Sequence, residues 1–205
     1  MGRPARHTQS AILECARQLS AEVGPQDFTI AAVAERAGAP VGSIYHRYAS
    51  RDEILATIWL DLVEDFQRCF FAALGGGGDP VGTGLATVSF MCRWVRHHRC
   101  EARLMLVYRR EDFASGRWSK SHHQRAEGLA TQSLEGLRLY ACRLIGRSGP
   151  PQLRSVRFAL VDLPTAALKR DIEAGVAPSK SLETMLLDTC AYALRRVREG
   201  VPRPN

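Results

Sequence analysis

Phe28-Thr29-Ile30-Ala31-Ala32-Val33-Ala34-Glu35-Arg36-Ala37-Gly38-Ala39-Pro40-Val41-Gly42-Ser43-Ile44-Tyr45-His46-Arg47-Tyr48 is the stretch whose reading decides the fold. It contains two short helical patterns. In the first, Thr29 stands as an N-cap, Ile30, Val33, Ala34 and Ala37 recur at helical steps, and Gly38 supplies the positive φ of a sharp exit. The second runs from about Pro40 to Tyr48 and is anchored by Ile44. Two short helices about a glycine-containing turn form a helix-turn-helix, which offers its second helix to the DNA major groove. Val33, Ala34 and Ala37 are small enough to let the helices approach closely. With Ile44 turned inward, Val41, Gly42, Ser43, Tyr45 and His46 are left to face outward.

Their chemistry suits a groove. Hydroxyls of Ser43 and Tyr45 can donate to phosphate oxygens, and His46 can bond a phosphate or a base edge. Val41 can touch a thymine methyl, and Gly42 permits close approach. Arg51 adds a cation at the start of the next helix, where a helix N-terminus itself favours phosphate, and Thr29 holds the equivalent place on the helix before. Tyr48 reads two ways, as a DNA contact or as a seal on the core. The predicted DNA-binding set is therefore Thr29, Val41, Gly42, Ser43, Tyr45, His46, Tyr48 and Arg51, with Arg3 and Arg6 as an arm to the backbone or minor groove.

Outward from this stretch the apolar spacing stays helical, and no period-2 run bounded by turns interrupts it. Ile12, Ala16, Leu19 and Val23 mark a preceding helix that Gly24-Pro25 ends. Ser50-Arg51-Asp52-Glu53 opens a long amphipathic helix with a capping box, continued by Leu55, Ile58, Leu62 and Phe66. Gly75 to Gly78 with Asp79-Pro80 reads as a flexible connection. Helical stretches follow at about 81–98, 101–112, 119–145, 152–174 and 180–199, and Pro164 is predicted to kink the fourth of these. The fold class is all-α: a three-helix helix-turn-helix domain over residues 1–55, then a helical bundle over 56–205.

Bulk charge does not locate the DNA site. The net charge is +7, yet residues 1–55 carry six arginines against six acids. The excess lies further on, as in Arg93, Arg96, Arg99, Arg103, Arg109 and Arg110, read as a solvated face. At 45% hydrophobic and 24% charged the composition is that of an ordinary globular protein. The sequence shows neither a secretory leader nor a run of ~20 apolar residues, so no membrane association and a cytoplasmic location are expected. The six cysteines have no C-x-x-C spacing and read as reduced, small apolar residues. His97-His98 and His122-His123 point in different directions around a helix, so neither pair is read as a metal site. No nucleophile–base spacing or cofactor fingerprint appears, and neither an enzyme nor a cofactor is expected. Large apolar groups with polar tips at Phe90, Met91, Trp94, Met105, Tyr108 and Trp118, with Asp162 before Pro164, suggest a ligand pocket against a background of plain core packing.

The run Phe28 to Tyr48, with Gly38, Gly42, Tyr45, Tyr48 and Arg51 at their expected places, resembles the DNA-binding domain of the TetR family of bacterial regulators. The resemblance covers roughly residues 8–60, with Pro40 where a polar residue is more usual. It implies a homodimer paired through the last two helices (152–174 and 180–199), a palindromic DNA operator, and a small-molecule effector in the C-terminal domain that releases the DNA. The leading expectation is thus a ligand-responsive regulator, most often a repressor. The alternatives are a non-enzymatic small-molecule-binding bundle and an architectural DNA binder.

Overall fold

A computed structural model of the protein describes residues 8–106, 108 and 118–200. The proposed Arg3/Arg6 arm, the end of the 101–112 helix, Arg109 and Arg110 lie outside the described residues. Every regular element among them is helical, as the periodicity requires. The described residues fall into two compact units, one within Met1–Val63 and Arg103–Glu127, the other within Glu64–Ala102 and Gly128–Asn205. Compactness thus groups the described residues among 103–127 with the N-terminal helices, a division different from a functional boundary at 55/56.

In the first unit, α1 (Gln9–Asp27) is capped by Thr8, whose hydroxyl accepts from the Ala11 amide. Its helical course breaks at Gly24, which takes φ 84° before Pro25. A side chain there would press on the Tyr108 hydroxyl. Next come α2 (Ile30–Ala37), α3 (Val41–Tyr45) and α4 (Arg51–Leu74), whose first turns belong to this unit. Ile12, Ala16, Phe28, Val33, Ile44, Ile58 and Leu104 are buried together as one core. α6 (Arg99–Leu106) supplies Leu104, and the first turns of α7 (Lys120–Ile145) complete the unit.

In the second unit, α5 (Pro80–His97) starts with Asp79 accepting from the Gly82 amide and Pro80 where a missing N–H costs nothing. The glycine run before it is held in place: Arg143 on α7 donates to the Leu74 and Gly76 carbonyls at 3.0 and 2.7 Å. That tether fixes the Leu74 and Gly76 end of the connection predicted to be flexible from four glycines.

α8 (Pro150–Arg157) passes through a π-helical turn, Phe158–Asp162, into α9 (Leu163–Glu173). The turn explains how Pro164 is accommodated. Proline cannot donate and crowds the carbonyl four residues back; widening the helix, so that the Leu163 amide bonds to the Phe158 carbonyl, relieves that crowding.

α10 (Lys180–Glu199), capped by the Ser179 hydroxyl, packs against α5. Between them the buried Glu183 carboxylate accepts from Ser89 at 2.9 Å, from Arg96 and from Lys180. Burial alone would raise its pKa, but these donors outweigh burial and hold it below the usual value. Cys92 and Cys190 are buried in this unit, and burial pushes their thiols up to about 11 and about 12. All six cysteines are free, and among the described residues no helix is long and apolar enough to cross a membrane.

Candidate nucleic-acid interface

Local signals build the scaffold of the interface. The Thr29 hydroxyl accepts from the Ala32 amide at 3.2 Å and caps α2. Gly38 closes the helix at φ 61°, with its own amide on Ala34 and Glu35 and the Ala39 amide on Ala34 at 2.9 Å. The Ser50 hydroxyl caps α4 by accepting from the Glu53 amide at 3.2 Å, and Glu53 reaches back to the Ala49 amide at 2.6 Å. This is the predicted capping box, with the return bond one residue earlier than the usual pattern.

On α3 the inside and outside separate by helical spacing. Ile44 and Tyr48 face the core, while Val41, Gly42, Tyr45 and His46 form an exposed pair of i, i+4 rows. Tyr45 is 54% and Val41 42% exposed. A Cβ built at Gly42 would meet nothing within 4 Å, so nothing inside the described protein requires a glycine there. Thr29 is also exposed, and its hydroxyl, accepting from Ala32, keeps its own proton for an outside acceptor.

Three members of the predicted set are placed otherwise. Tyr48 is only 3% exposed, because its ring completes the apolar seal beneath α3. Burial is the main cause that raises its phenol pKa, and its hydroxyl is buried without a hydrogen-bond partner among the described residues. Ser43 turns its hydroxyl inward, where no partner reaches it among the described residues. Arg51 donates from Nε to the Phe28 carbonyl at 2.7 Å, and further to the carbonyls of Gln26 (3.1 Å) and Pro25. The guanidinium is a clamp. It satisfies carbonyls in the last turn of α1 and just past it, and ties the start of α4 to the stretch that leads into α2.

In the sequence Ser50 reads only as a cap. It is exposed, and its hydroxyl has the same geometry as Thr29. The shared Ser/Thr N-cap pattern was the signal for it.

Charge is sparse on this surface. Arg36 makes a bidentate pair with Glu22 at 2.9 and 2.6 Å, which lowers the Glu22 pKa and raises that of Arg36, chiefly through their hydrogen bond. Arg47 donates to the Ser43 carbonyl at 2.7 Å.

The model of the "Bacterial regulatory proteins, tetR family" matches residues 12–58, from α1 through the first turns of α4. Residues 12–58 are a TetR-family domain. Its helix-turn-helix is the DNA-binding element of that family of regulators. Solved structures extend the likeness in fold over nearly the whole chain. A transcriptional regulator from Rhodococcus sp. Rha1 is 22% identical, with 95% of this chain and 100% of that one covered and a TM-score of 0.71. FadR from Bacillus subtilis, solved in complex with stearoyl-CoA, is 12% identical over 95% of this chain and 100% of its own, with a TM-score of 0.68. A TetR family transcription regulator from Marinobacter aquaeolei VT8 is 13% identical over 90% and 93%, with a TM-score of 0.67. No curated protein matches by sequence. At these identities the structures speak for the fold alone.

The residues predicted to line a ligand pocket divide between the two units. Phe90, Met91, Trp94 and Asp162 belong to the second, Met105, Tyr108 and Trp118 to the first. Phe90 and Trp94 sit around Phe66 at ring separations of 5.8 and 4.9 Å, and Met91 is buried. Trp118 packs against Trp59 at 5.8 Å, and Tyr108 against the core of the first unit. Asp162 pairs with Arg157 at 3.2 Å instead of meeting backbone groups freed by Pro164.

Proposed function

We propose that the protein is a homodimeric, effector-controlled regulator of transcription, acting as a repressor, that reads a palindromic operator through the exposed face of α3. The observation that carries this reading is that face itself: Val41, Gly42, Tyr45 and His46 project from a short helix whose other side is locked into the core. Tyr45 and the Thr29 and Ser50 hydroxyls supply phosphate contacts, and Val41 and Gly42 allow close approach to base edges. Helix N-termini at Thr29 and Ser50 add amide dipoles favourable to phosphate. In this reading residues 1–55 carry DNA recognition and 56–205 carry dimerisation and effector binding.

Dimerisation through the last two helical segments is supported by apolar side chains left open on them. Met185 and Tyr192, two turns apart on α10, are 64% and 68% exposed, and Phe158 is exposed on the π turn. A dimer would set two α3 helices about 34–36 Å apart, one DNA turn. Effector control is supported by the complex of the Bacillus subtilis FadR neighbour with stearoyl-CoA, and requires an effector that binds the DNA-competent and DNA-released states with different affinity.

The test is selection from a random duplex pool at near-physiological salt, with wild type and Tyr45→Ala. A palindrome enriched by wild type and lost by Tyr45→Ala is the expected result. Equal, motif-free binding by both would leave an architectural DNA binder instead.

A further inference from the structure

Three helical segments of the second unit frame a groove of about 530 Å³, within the ~300–1,000 Å³ range of small-molecule clefts. Its walls are apolar, with Leu134 and Leu137 from α7 and Leu153 from α8. Four polar side chains interrupt them: Gln67 from α4, Ser133 from α7, and Arg154 and Arg157 from α8.

The two arginines differ in what holds them. Arg157 and Asp162 are five residues apart, a spacing that an ordinary α-helix does not bring together, and the π turn between them closes it to 3.2 Å. Asp162 thereby neutralises Arg157. Among the described residues no carboxylate pairs with Arg154, which remains the net charge at this rim. Gln67 adds a second unmet demand: its Oε1 is buried, and among the described residues no donor reaches it. A buried acceptor without a donor carries a desolvation penalty that an incoming hydroxyl or N–H would remove.

We propose that this groove binds an amphipathic monoanion, its alkyl chain on the three leucines, its carboxylate on Arg154 and a hydroxyl on Gln67. The proposal rests on reading this part of the chain as the effector-binding region. A cationic amphiphile would face Arg154 directly, and a neutral one would leave it without a counter-charge. Long apolar walls disfavour a small hydrophilic acid.

Calorimetric titration of the full chain tests this, with decanoate, 3-hydroxydecanoate, 10-hydroxydecanoate and decyltrimethylammonium, each below micelle formation. The carboxylates are expected to bind with one site per chain and the ammonium not at all. At least one hydroxy acid should bind more tightly than decanoate in wild type, with the advantage gone in Gln67→Leu. Arg154→Ala should weaken every carboxylate about tenfold, the loss of one charge-assisted hydrogen bond. Leu134→Gln, at an exposed wall position, should weaken them with thermal unfolding unchanged. Undiminished carboxylate binding by Arg154→Ala and Leu134→Gln overturns the proposal. So does weakened self-association in Leu134→Gln, a position outside the two segments assigned to the dimer, which would give the groove to a second copy of the chain. Carboxylate binding that needs Arg154 but leaves affinity for the selected DNA unchanged upholds the groove and removes the effector-controlled reading.

Discussion

Gly42 separates what the protein needs from what its partner needs. A helical glycine costs roughly 0.5–1 kcal/mol relative to alanine, and at Gly42 a methyl group would meet only open space. Gly42→Ala should therefore stabilise the isolated protein by up to about 1 kcal/mol in urea unfolding while weakening operator binding. Loss of stability would mean the glycine serves the fold; unchanged DNA affinity would remove it from the interface. Tyr45 and Tyr48 make the matching contrast. They stand three residues apart on the same short segment, one outward and the other sealed beneath it.

At the scale of the element, the helix ends were the most readable part of the sequence. Thr29, Gly38 and Ser50 with Glu53 act on amides and carbonyls within four residues of themselves, so their signals survive in a linear reading. Arg51 does not work that way. Its carbonyl partners lie 23 to 26 residues earlier, at the end of α1 and just past it, and only the folded chain brings them within reach. The same limit applies to the inward hydroxyl of Ser43 and to the aromatic residues once grouped as one pocket, since periodicity gives a helix a face without saying what that face meets. Arg51→Lys tests the clamp, because one ammonium cannot serve the fork of carbonyls that a guanidinium does. It should lose about 1–2 kcal/mol of stability, given partial exposure of the pair of ends it joins. If stability holds while DNA affinity falls, Arg51 is a phosphate contact after all.

For the molecule as a whole, His122 is the group expected to make stability fall in acid. Its Nδ1 lies 2.6 Å from the Ser119 hydroxyl and its Nε2 3.2 Å from that of Thr57. Thr57 already donates to the Glu53 carbonyl, so Nε2 carries the proton and Nδ1 accepts, the neutral ring. Burial is the main cause that lowers the His122 pKa; Arg125 and His123 act in the same direction, Glu53 and Asp61 against it. A base whose folded pKa is depressed contributes stability above its unfolded value near 6.5, and that contribution is lost as pH falls through the lower folded value. Wild type should therefore lose more melting temperature between pH 7.5 and 5 than His122→Asn. Parallel losses in the two proteins would assign the acid sensitivity to other groups.

The clamp at Arg51 reaches beyond stability, to the ionic atmosphere of the DNA. Each phosphate neutralised by a protein cation releases condensed counterions and adds about −0.9 to the slope of log affinity against log salt. At the described interface Arg51 is given to carbonyls, Arg36 to Glu22, and Arg47 donates to a backbone oxygen. The remaining donors are hydroxyls, amides and an imidazole, which grip phosphate without displacing cations. Operator affinity measured from 50 to 300 mM salt should accordingly fall on a shallow slope, and a steep one would reveal cations at work that this surface does not display. A regulator built this way is expected to keep its hold on DNA when the salt around it rises.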